Sequence, residues 1–175
     1  MRSMLIVIGG LPGSGKTSLA IRLTRLLDAV HLRIDTIEQA IRSSSMAADD
    51  VGSAGYLVAY ALAEDNLRLG RIVVADAVNP LSSIRAAWRA VARRAAVTLF
   101  EVELICSDAI EHRRRVESRR PDIAGLKLPT WDEVTTREYA PWNGDHVMID
   151  TARRPLDESV TELHALLLAH ERAVR

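Results

Sequence analysis

The stretch Gly10-Leu11-Pro12-Gly13-Ser14-Gly15-Lys16-Thr17 matches the phosphate-binding loop pattern G-x-x-x-x-G-K-[ST] at every fixed position. Glycine at positions 10 and 15 allows backbone turns that a Cβ atom would block, so that successive N–H groups can point at phosphate oxygens. Lys16 can bring a positive charge to the outer phosphates, and the Thr17 hydroxyl can bind Mg²⁺. The stretch therefore predicts a binding site for a nucleoside triphosphate.

An apolar run and a helical pattern flank this loop. Residues 4–8 have the length of a strand and end at the loop, and apolar residues follow it at helical spacing from Leu19 to Leu27. Strand, loop and helix in this order favour a phosphate site over a mere glycine-rich turn, because the helix start adds its positive dipole to the anion site. The residues expected to contact the nucleotide here are Gly10, Pro12, Gly13, Ser14, Gly15, Lys16, Thr17 and Ser18.

The composition favours one globular domain over residues 1–175. The chain is 48% hydrophobic, and its 23 basic and 23 acidic residues balance, so no global basic field draws it to nucleic acid. The single cysteine, Cys106, excludes an internal disulfide, and its apolar surroundings favour a buried thiol over a nucleophile. The sequence shows neither a signal peptide nor a stretch of transmembrane length, so we expect a cytoplasmic protein.

Strand and helix patterns alternate along the chain. Apolar runs predict strands at 4–8, 30–34, 71–75, 97–106 and 146–150, with helical patterns between most of them. This alternation predicts an α/β fold, a three-layer parallel β-sheet of the P-loop NTPase, nucleotide-kinase-like type with a small helical lid. We place the lid at about 115–130 and a polar loop at 43–53. In such sheets ligands bind at the carboxyl ends of the strands.

Two aspartates follow predicted strands at this edge. Asp35 could accept the proton of an attacking hydroxyl and help to hold Mg²⁺, or it could simply cap the helix that follows. Asp76 could bind Mg²⁺ or substrate, or form a turn with Asn79. The candidate metal ligands are therefore Thr17, Asp35 and Asp76.

A basic cluster at residues 113–120 lies where a predicted helix enters the lid. Arg115 and Arg119 would share one helix face at i, i+4, from which they could close over the phosphates and stabilise the charge of phosphoryl transfer. A solvated helix end and a nucleic-acid patch are the alternatives. Trp131 and Trp142 could line a substrate pocket or anchor the lid by packing.

Together these features resemble the small P-loop kinases, which include the polynucleotide 5′-kinase domain, the zeta-toxin kinases and chloramphenicol phosphotransferase. The resemblance rests on the loop at 10–17, Asp35, the segment Val73-Val74-Ala75-Asp76-Ala77-Val78-Asn79, and the pair Arg115-x-x-x-Arg119. It spans nearly the whole chain. It is specific for the fold and for ATP, and leaves the acceptor open.

The resemblance implies a role for each matching residue. Lys16 and Thr17 would hold the phosphates of ATP and Mg²⁺, and Asp35 would be the general base. Arg115 and Arg119 would be lid arginines. Asp76 would lie in the substrate or metal shell, and Asp150-Thr151-Ala152 would border the adenine.

One position departs from the family pattern. Polynucleotide-kinase-like members often carry an arginine three positions after the base, where it helps to hold an acceptor phosphate, whereas this chain has Glu38. An acidic residue there argues against a phosphorylated or polyanionic acceptor, so a nucleic-acid partner is not expected. We expect an ATP- and Mg²⁺-dependent kinase for a hydroxyl of a small molecule bound over the helix at 54–69. The alternatives are a polynucleotide or nucleotide kinase and a regulatory ATPase without an acceptor.

Overall fold

One parallel sheet forms the centre of the molecule. The computed structural model describes residues 2–44 and 51–173, so residues 45–50 of the predicted loop lie outside the described residues. The strands are β1 (Met4–Gly9), β2 (Val30–Arg33), β3 (Val73–Asp76), β4 (Thr98–Ile105) and β5 (Val147–Asp150). Within the described ranges, they pair in the order β2-β3-β1-β4-β5, every pair parallel.

Helices cover both faces of this sheet. They are α1 (Lys16–Leu27), α2 (Ile34–Arg42), α3 (Ala54–Arg68), α4 (Ser82–Ala95), α5 (Ala109–Ser118), α6 (Trp131–Thr135) and α7 (Leu156–Ala173). Helices α1 and α7 pack on one face, and α3 and α4 pack on the other. The predicted three-layer α/β fold is confirmed. None of the described helices is long and apolar enough to span a membrane.

Strand β1 supplies side chains to both halves of the core. All of its residues are buried. Met4, Ile6 and Ile8 face α1 and α7, whereas Leu5 and Val7 face α3 and α4. A strand covered on both faces reads as a continuous apolar run, which is why residues 4–8 carry no polar side chain. The loop that follows β1 therefore leaves from the middle of the carboxyl edge of the sheet.

Asp35 lies in a helix rather than at the tip of a strand. Strand β2 ends at Arg33 and α2 begins at Ile34, so Asp35 falls in the first turn of α2 and is not its N-cap. A carboxylate is favourable at this position because it lies near the positive end of the helix dipole. The predicted end of the strand at residue 34 is thus corrected to Arg33, although Asp35 still lies at the carboxyl edge of the sheet.

Arg115 and Arg119 do not share a helix face, contrary to the prediction. Helix α5 ends at Ser118, and Arg119 has an extended backbone with φ −63° and ψ 135°. Pro121 follows two residues later, and the residue before it, Arg120, is sterically disfavoured from the helical conformation, so the helix ends ahead of it. The lid region at 115–130 is therefore the end of α5 followed by an irregular segment.

Replacing Leu23 with alanine tests the packing of α1 on the sheet. Leu23 is fully buried, whereas Leu26 on the same helix is 53% exposed. We expect Leu23→Ala to lower the free energy of unfolding by about 2–5 kcal/mol, because it removes apolar contacts and leaves a cavity. Leu26→Ala should cost about 0.5 kcal/mol or less. Urea unfolding measures both; equal losses would contradict the placement of α1.

Candidate active site

The phosphate-binding loop, residues 10–17, begins with a close approach to β4. Gly10 has φ 137°, and a Cβ atom there would lie 2.2 Å from the carbonyl oxygen of Leu104. Such a contact is forbidden to any other residue, so the glycine is required by space as well as by backbone angle. Lys16 opens α1, and its Nζ donates a hydrogen bond of 2.9 Å to the carbonyl oxygen of Leu11. The lysine is thereby held inside the curve of the loop.

Helix α5 supports the loop from the side of the lid. His112 is buried, and its Nε2 lies 2.7 Å from the carbonyl oxygen of Pro12. The His112 ring meets Trp131 edge-to-face with centroids 5.2 Å apart. A Cβ atom on Gly13 would lie 2.6 Å from Val116 of the same helix. Trp131 therefore anchors α6 to α5, in agreement with the packing alternative, and His112 is a supporting residue that the sequence analysis missed.

Two cavities meet at Lys16 and Thr17. The first, here called the α5 cavity, has a volume of about 500 Å³ and lies between the loop, the starts of α1 and α7, and the end of α5. The second, the α2 cavity, has a volume of about 280 Å³ and lies between the loop, α2, the end of β3 and the lid. Arg119 lines both cavities. A group held at Lys16 is therefore accessible from either side.

Most of the predicted nucleotide contacts line the α5 cavity. They are Gly13, Gly15, Lys16, Thr17, Ser18, Arg115, Arg119 and Thr151. Pro12 instead lines the α2 cavity. Ser14 is buried, and its hydroxyl has no hydrogen-bond partner among the described residues. The structure thus brings together the residues that the sequence predicted for the nucleotide, with Gly10 and Ser14 forming the inner frame of the loop.

The ammonium group of Lys16 has a lowered pKa. Burial lowers the pKa of Lys16 to about 8, although the negative charges of Asp76 and Asp35 raise it. The positive charges of Arg119 and Arg137 lower the pKa of Lys16 further. Both predicted aspartates and two arginines are therefore within electrostatic range of the lysine.

Asp76 presents a buried carboxylate to the α2 cavity. Its side chain is 2% exposed, and Ile8, just before the loop, is its register partner in β1. Its Oδ2 makes no hydrogen bond with a described residue, although His31 Nε2 lies 3.4 Å away. Leaving a buried carboxylate oxygen unsatisfied is costly, and a cation would satisfy it. Mg²⁺ fits this site, since it uses one or two protein oxygens together with water and phosphate.

Arg115 is fixed to the loop that follows β5. It donates hydrogen bonds to the Thr151 hydroxyl at 2.8 Å, to the Thr151 carbonyl oxygen at 2.7 Å and to Glu111 Oε1 at 2.6 Å. The Thr151 hydroxyl in turn lies 3.0 Å from the carbonyl oxygen of Ser14. Arg115 is thus part of the wall of the α5 cavity, whereas Arg119 stands between the two cavities.

An ion pair that the sequence did not indicate fastens the lid to the sheet. Arg33, at the end of β2, donates two hydrogen bonds to the carboxylate of Asp122, at 2.6 and 2.9 Å. These hydrogen bonds lower the pKa of Asp122 to about 2. Arg119 lies 3.7 Å from the same carboxylate. Asp122 therefore positions the arginine that lines both cavities.

The α2 cavity contains charges of both signs. The Asp35 carboxylate is 40% exposed and lines this cavity together with Glu38 and Arg42. Arg42 donates a hydrogen bond of 3.2 Å to Glu38, so the acidic side chain has a cation of its own. Lys127 and Arg137 line the same cavity from the lid side, and the sequence analysis assigned neither. Glu38 is therefore one of several charges, of both signs, that an acceptor would meet in this cavity.

Helix α3 contributes less to this cavity than predicted. Tyr56 lines the α2 cavity. Tyr60 instead donates to the carbonyl oxygen of Ile84, and Glu64 forms ion pairs with arginines on the surface. Only the N-terminal end of α3 therefore borders the space beside Asp35.

Asn79 and Trp142 have structural roles at the end of β1. Asn79 is fully buried; its amide donates to the carbonyl oxygen of Ile8 at 3.0 Å and accepts from Trp88 Nε1 at 3.0 Å. Trp142 packs against Gly9, and the guanidinium of the buried Arg85 lies 4.9 Å from its ring centroid. Both residues hold the end of β1 in place from the side of α4.

Residues 5–137 match the family model described as an AAA domain. The chain belongs to the AAA domain family. The match covers β1, the phosphate-binding loop, both aspartates and the lid of this AAA domain, and ends just beyond α6. No curated protein matches the chain.

Solved structures with the same fold include P-loop kinases. The APS kinase of Mycobacterium tuberculosis, in complex with AMPPNP and APS, is 22% identical over 95% of this chain and 98% of that chain, with a TM-score of 0.70. A gluconokinase from Sinorhizobium meliloti is 22% identical over 97% and 94%, with a TM-score of 0.69. Kti12 from Chaetomium thermophilum, in complex with ADP-AlF3, is 19% identical over 92% and 97%, with a TM-score of 0.66.

These similarities show a shared fold, and the predicted resemblance to small P-loop kinases is confirmed at that level. The fold of this AAA domain is that of a nucleotide-binding P-loop protein.

Replacing Gly10 with alanine tests the close approach of the loop to β4. Gly10 and Gly70 both have positive φ, but a Cβ atom would meet nothing within 4 Å at Gly70. We expect Gly10→Ala to lower the free energy of unfolding by more than about 2 kcal/mol and to weaken ATP binding at least about tenfold. Gly70→Ala should cost about 1–2 kcal/mol and leave ATP affinity unchanged. Calorimetry measures the ATP affinity. If Gly10→Ala binds ATP as tightly as the unmodified protein, the close approach of the loop to β4 is not needed for ATP binding.

The lowered pKa of Lys16 predicts that ATP binding takes up a proton. Above pH 8 the free protein holds Lys16 largely neutral, because its pKa is about 8, whereas bound phosphates favour the charged form. Affinity for ATP should therefore fall by up to about tenfold per pH unit above pH 8. Titration calorimetry at pH 8.5, in two buffers of different ionisation enthalpy, measures the proton uptake. Lys16→Arg, charged throughout, should abolish it; no uptake by the unmodified protein would contradict the assignment.

Proposed function

We propose that the protein is a kinase that transfers the γ-phosphoryl group of ATP to a hydroxyl group of a small molecule. The observation that carries this proposal is the meeting of the α5 and α2 cavities at Lys16 and Thr17. A nucleotide in the α5 cavity would present its terminal phosphate to a molecule in the α2 cavity. The similar fold that holds AMPPNP and APS together supports a site for two ligands. A regulatory ATPase would leave the α2 cavity without a ligand.

In this proposal Asp35 is the general base. It lines the α2 cavity, where the acceptor would bind. The proton of the acceptor hydroxyl moves to the Asp35 carboxylate while the hydroxyl oxygen bonds to the γ-phosphorus and the bond to the β–γ bridging oxygen breaks. Lys16 and Arg119 donate hydrogen bonds to the phosphate oxygens, where they offset negative charge in the transition state.

Thr17 and Asp76 would hold Mg²⁺, with Asp35 as a further ligand. The buried, unsatisfied Oδ2 of Asp76 supports this assignment. When bound, Mg²⁺ would neutralise part of the triphosphate charge. The nucleoside would occupy the α5 cavity beside Arg115 and Thr151. The volume of this cavity, about 500 Å³, suits a ligand of nucleoside size.

Replacing Asp35 with asparagine tests the base. We expect Asp35→Asn to lower the rate of phosphoryl transfer by about 10²–10⁴-fold, because the amide cannot accept the proton. ATP affinity measured without Mg²⁺ should change less than about threefold, since Asp35 lies outside the α5 cavity and its contact with the metal ion is then absent. The measurement is transfer of label from γ-labelled ATP to a pooled panel of hydroxyl compounds, with ATP binding followed by calorimetry.

Asp65→Asn is the matched control for this substitution. Asp65 is exposed on α3, and its side chain makes no contact with either cavity in the described structure. Transfer by this variant should equal that of the unmodified protein. Full transfer by Asp35→Asn would eliminate Asp35 as the base. Release of phosphate from ATP that no acceptor alters would argue against the kinase proposal.

A further inference from the structure

We propose that the acceptor carries an anionic group, a carboxylate or a phosphate, and that Lys127 and Arg137 bind it. This inference rests on the proposed kinase function and names the chemical class of the acceptor. The hydroxyl that receives the phosphoryl group would lie beside Asp35, and the anionic group of the same molecule would lie at the lid.

Lys127 and Arg137 place cationic groups with open hydrogen-bond donors along the α2 cavity. Lys127 belongs to the irregular lid segment, and Arg137 follows α6. Neither forms a hydrogen bond or an ion pair with any residue in the ranges 2–44 and 51–173. The nearby carboxylate of Glu133 accepts from Thr130 N at 2.7 Å and from Thr130 Oγ1 at 3.1 Å, so it is committed to the helix cap. The Thr130 hydrogen bonds, and then the positive charges of Lys127 and Arg137, lower the pKa of Glu133, so this carboxylate offsets part of their charge. The N–H donors of the two cations nevertheless have no acceptor among the described residues.

The acidic side chains of this cavity are engaged elsewhere. Glu38 accepts a hydrogen bond from Arg42, and burial raises the pKa of Glu38, which disfavours its charged form. Asp35 and Asp76 lie in the field of Lys16 and serve the transfer step in the proposed function. Glu38 therefore does not repel an anionic acceptor in the way that the sequence alone predicted. A ligand anion would accept the hydrogen bonds of Lys127 and Arg137 that no described residue accepts.

The size of the cavity favours a small molecule. Its volume of about 280 Å³ is at the lower end of ligand pockets. The leucines and prolines that also line it, such as Leu126 and Pro129, suit a compact ligand rather than an extended strand. An acceptor with a hydroxyl at one end and an anionic group at the other would contact α2 and the lid together.

Matched pairs of acceptors test this inference. Each pair differs only in charge: glycerate and glycerol, gluconate and glucitol, glycerol 3-phosphate and glycerol, a nucleoside 5′-monophosphate and its nucleoside. Amino alcohols and 5′-hydroxyl oligonucleotides complete the panel. We expect kcat/KM for the anionic member of at least one pair to exceed that of its partner by about tenfold or more. The carboxylate and phosphate pairs distinguish the two anions.

The double variant Lys127→Gln, Arg137→Gln separates binding of the acceptor from the transfer step. We expect it to raise KM for the anionic acceptor by about tenfold or more and to leave kcat within about threefold. Arg113→Gln is the control, since Arg113 is exposed on α5 and pairs with Glu117 outside the α2 cavity. Its KM should not change. An equal fall of kcat for charged and neutral acceptors would show that the two cations act on the transferred group, and would overturn the proposal.

The outcomes distinguish the acceptor class from the kinase function. Equal or faster transfer to neutral or cationic members would overturn the anionic acceptor and leave the kinase standing. Label on oligonucleotides alone would replace the small anionic acceptor with a nucleic-acid acceptor. If no compound receives label, the anion site is tested by thermal unfolding. The unfolding temperature is measured in saturating AMPPNP, with and without malate or inorganic phosphate, at constant ionic strength. Stabilisation that the double variant loses would support the anion site without the kinase, and its absence would refute the site.

Discussion

The contact between the phosphate-binding loop and β4 limits every other part of the site. Strand β1 is buried on both faces, so the loop must start in the middle of the sheet, and Gly10 must pass over the Leu104 carbonyl group without a side chain. This position fixes Lys16 beneath the loop and sets it beside Asp76 of the neighbouring strand. The distances between the phosphate-binding groups therefore follow from sheet packing, which is rigid compared with a surface loop.

Around this fixed centre the site is completed by segments that are distant in sequence. His112 and Trp131 hold the lid side of the loop, and the Arg33–Asp122 pair fastens the irregular lid to β2. Because Asp122 lies close to Arg119, the same contacts place the arginine that borders both cavities. Nucleotide and acceptor would thus meet at a position set by the sheet and covered by the lid.

The charges of the α2 cavity show why a single substitution in a family pattern is a weak guide to a ligand. Glu38 is acidic where the polynucleotide-kinase-like pattern often has an arginine, yet Arg42, one turn later, donates a hydrogen bond to it. Lys127 from the lid and Arg137 from beyond α6 line the same space. The sign of the field that a ligand meets is the sum over all walls of a cavity, and these walls come from parts of the chain that lie about a hundred residues apart.

The sequence by itself determined the features that depend on neighbouring residues: the loop at 10–17 and the alternation of strands and helices. Motif and periodicity are local, so they can be read from a few adjacent positions. Strand order, the Arg33–Asp122 pair and the position of the cations Lys127 and Arg137 beside the α2 cavity were decided only by the tertiary structure. They depend on which segments the sheet brings together, and a pairing across many residues leaves no local pattern in the chain.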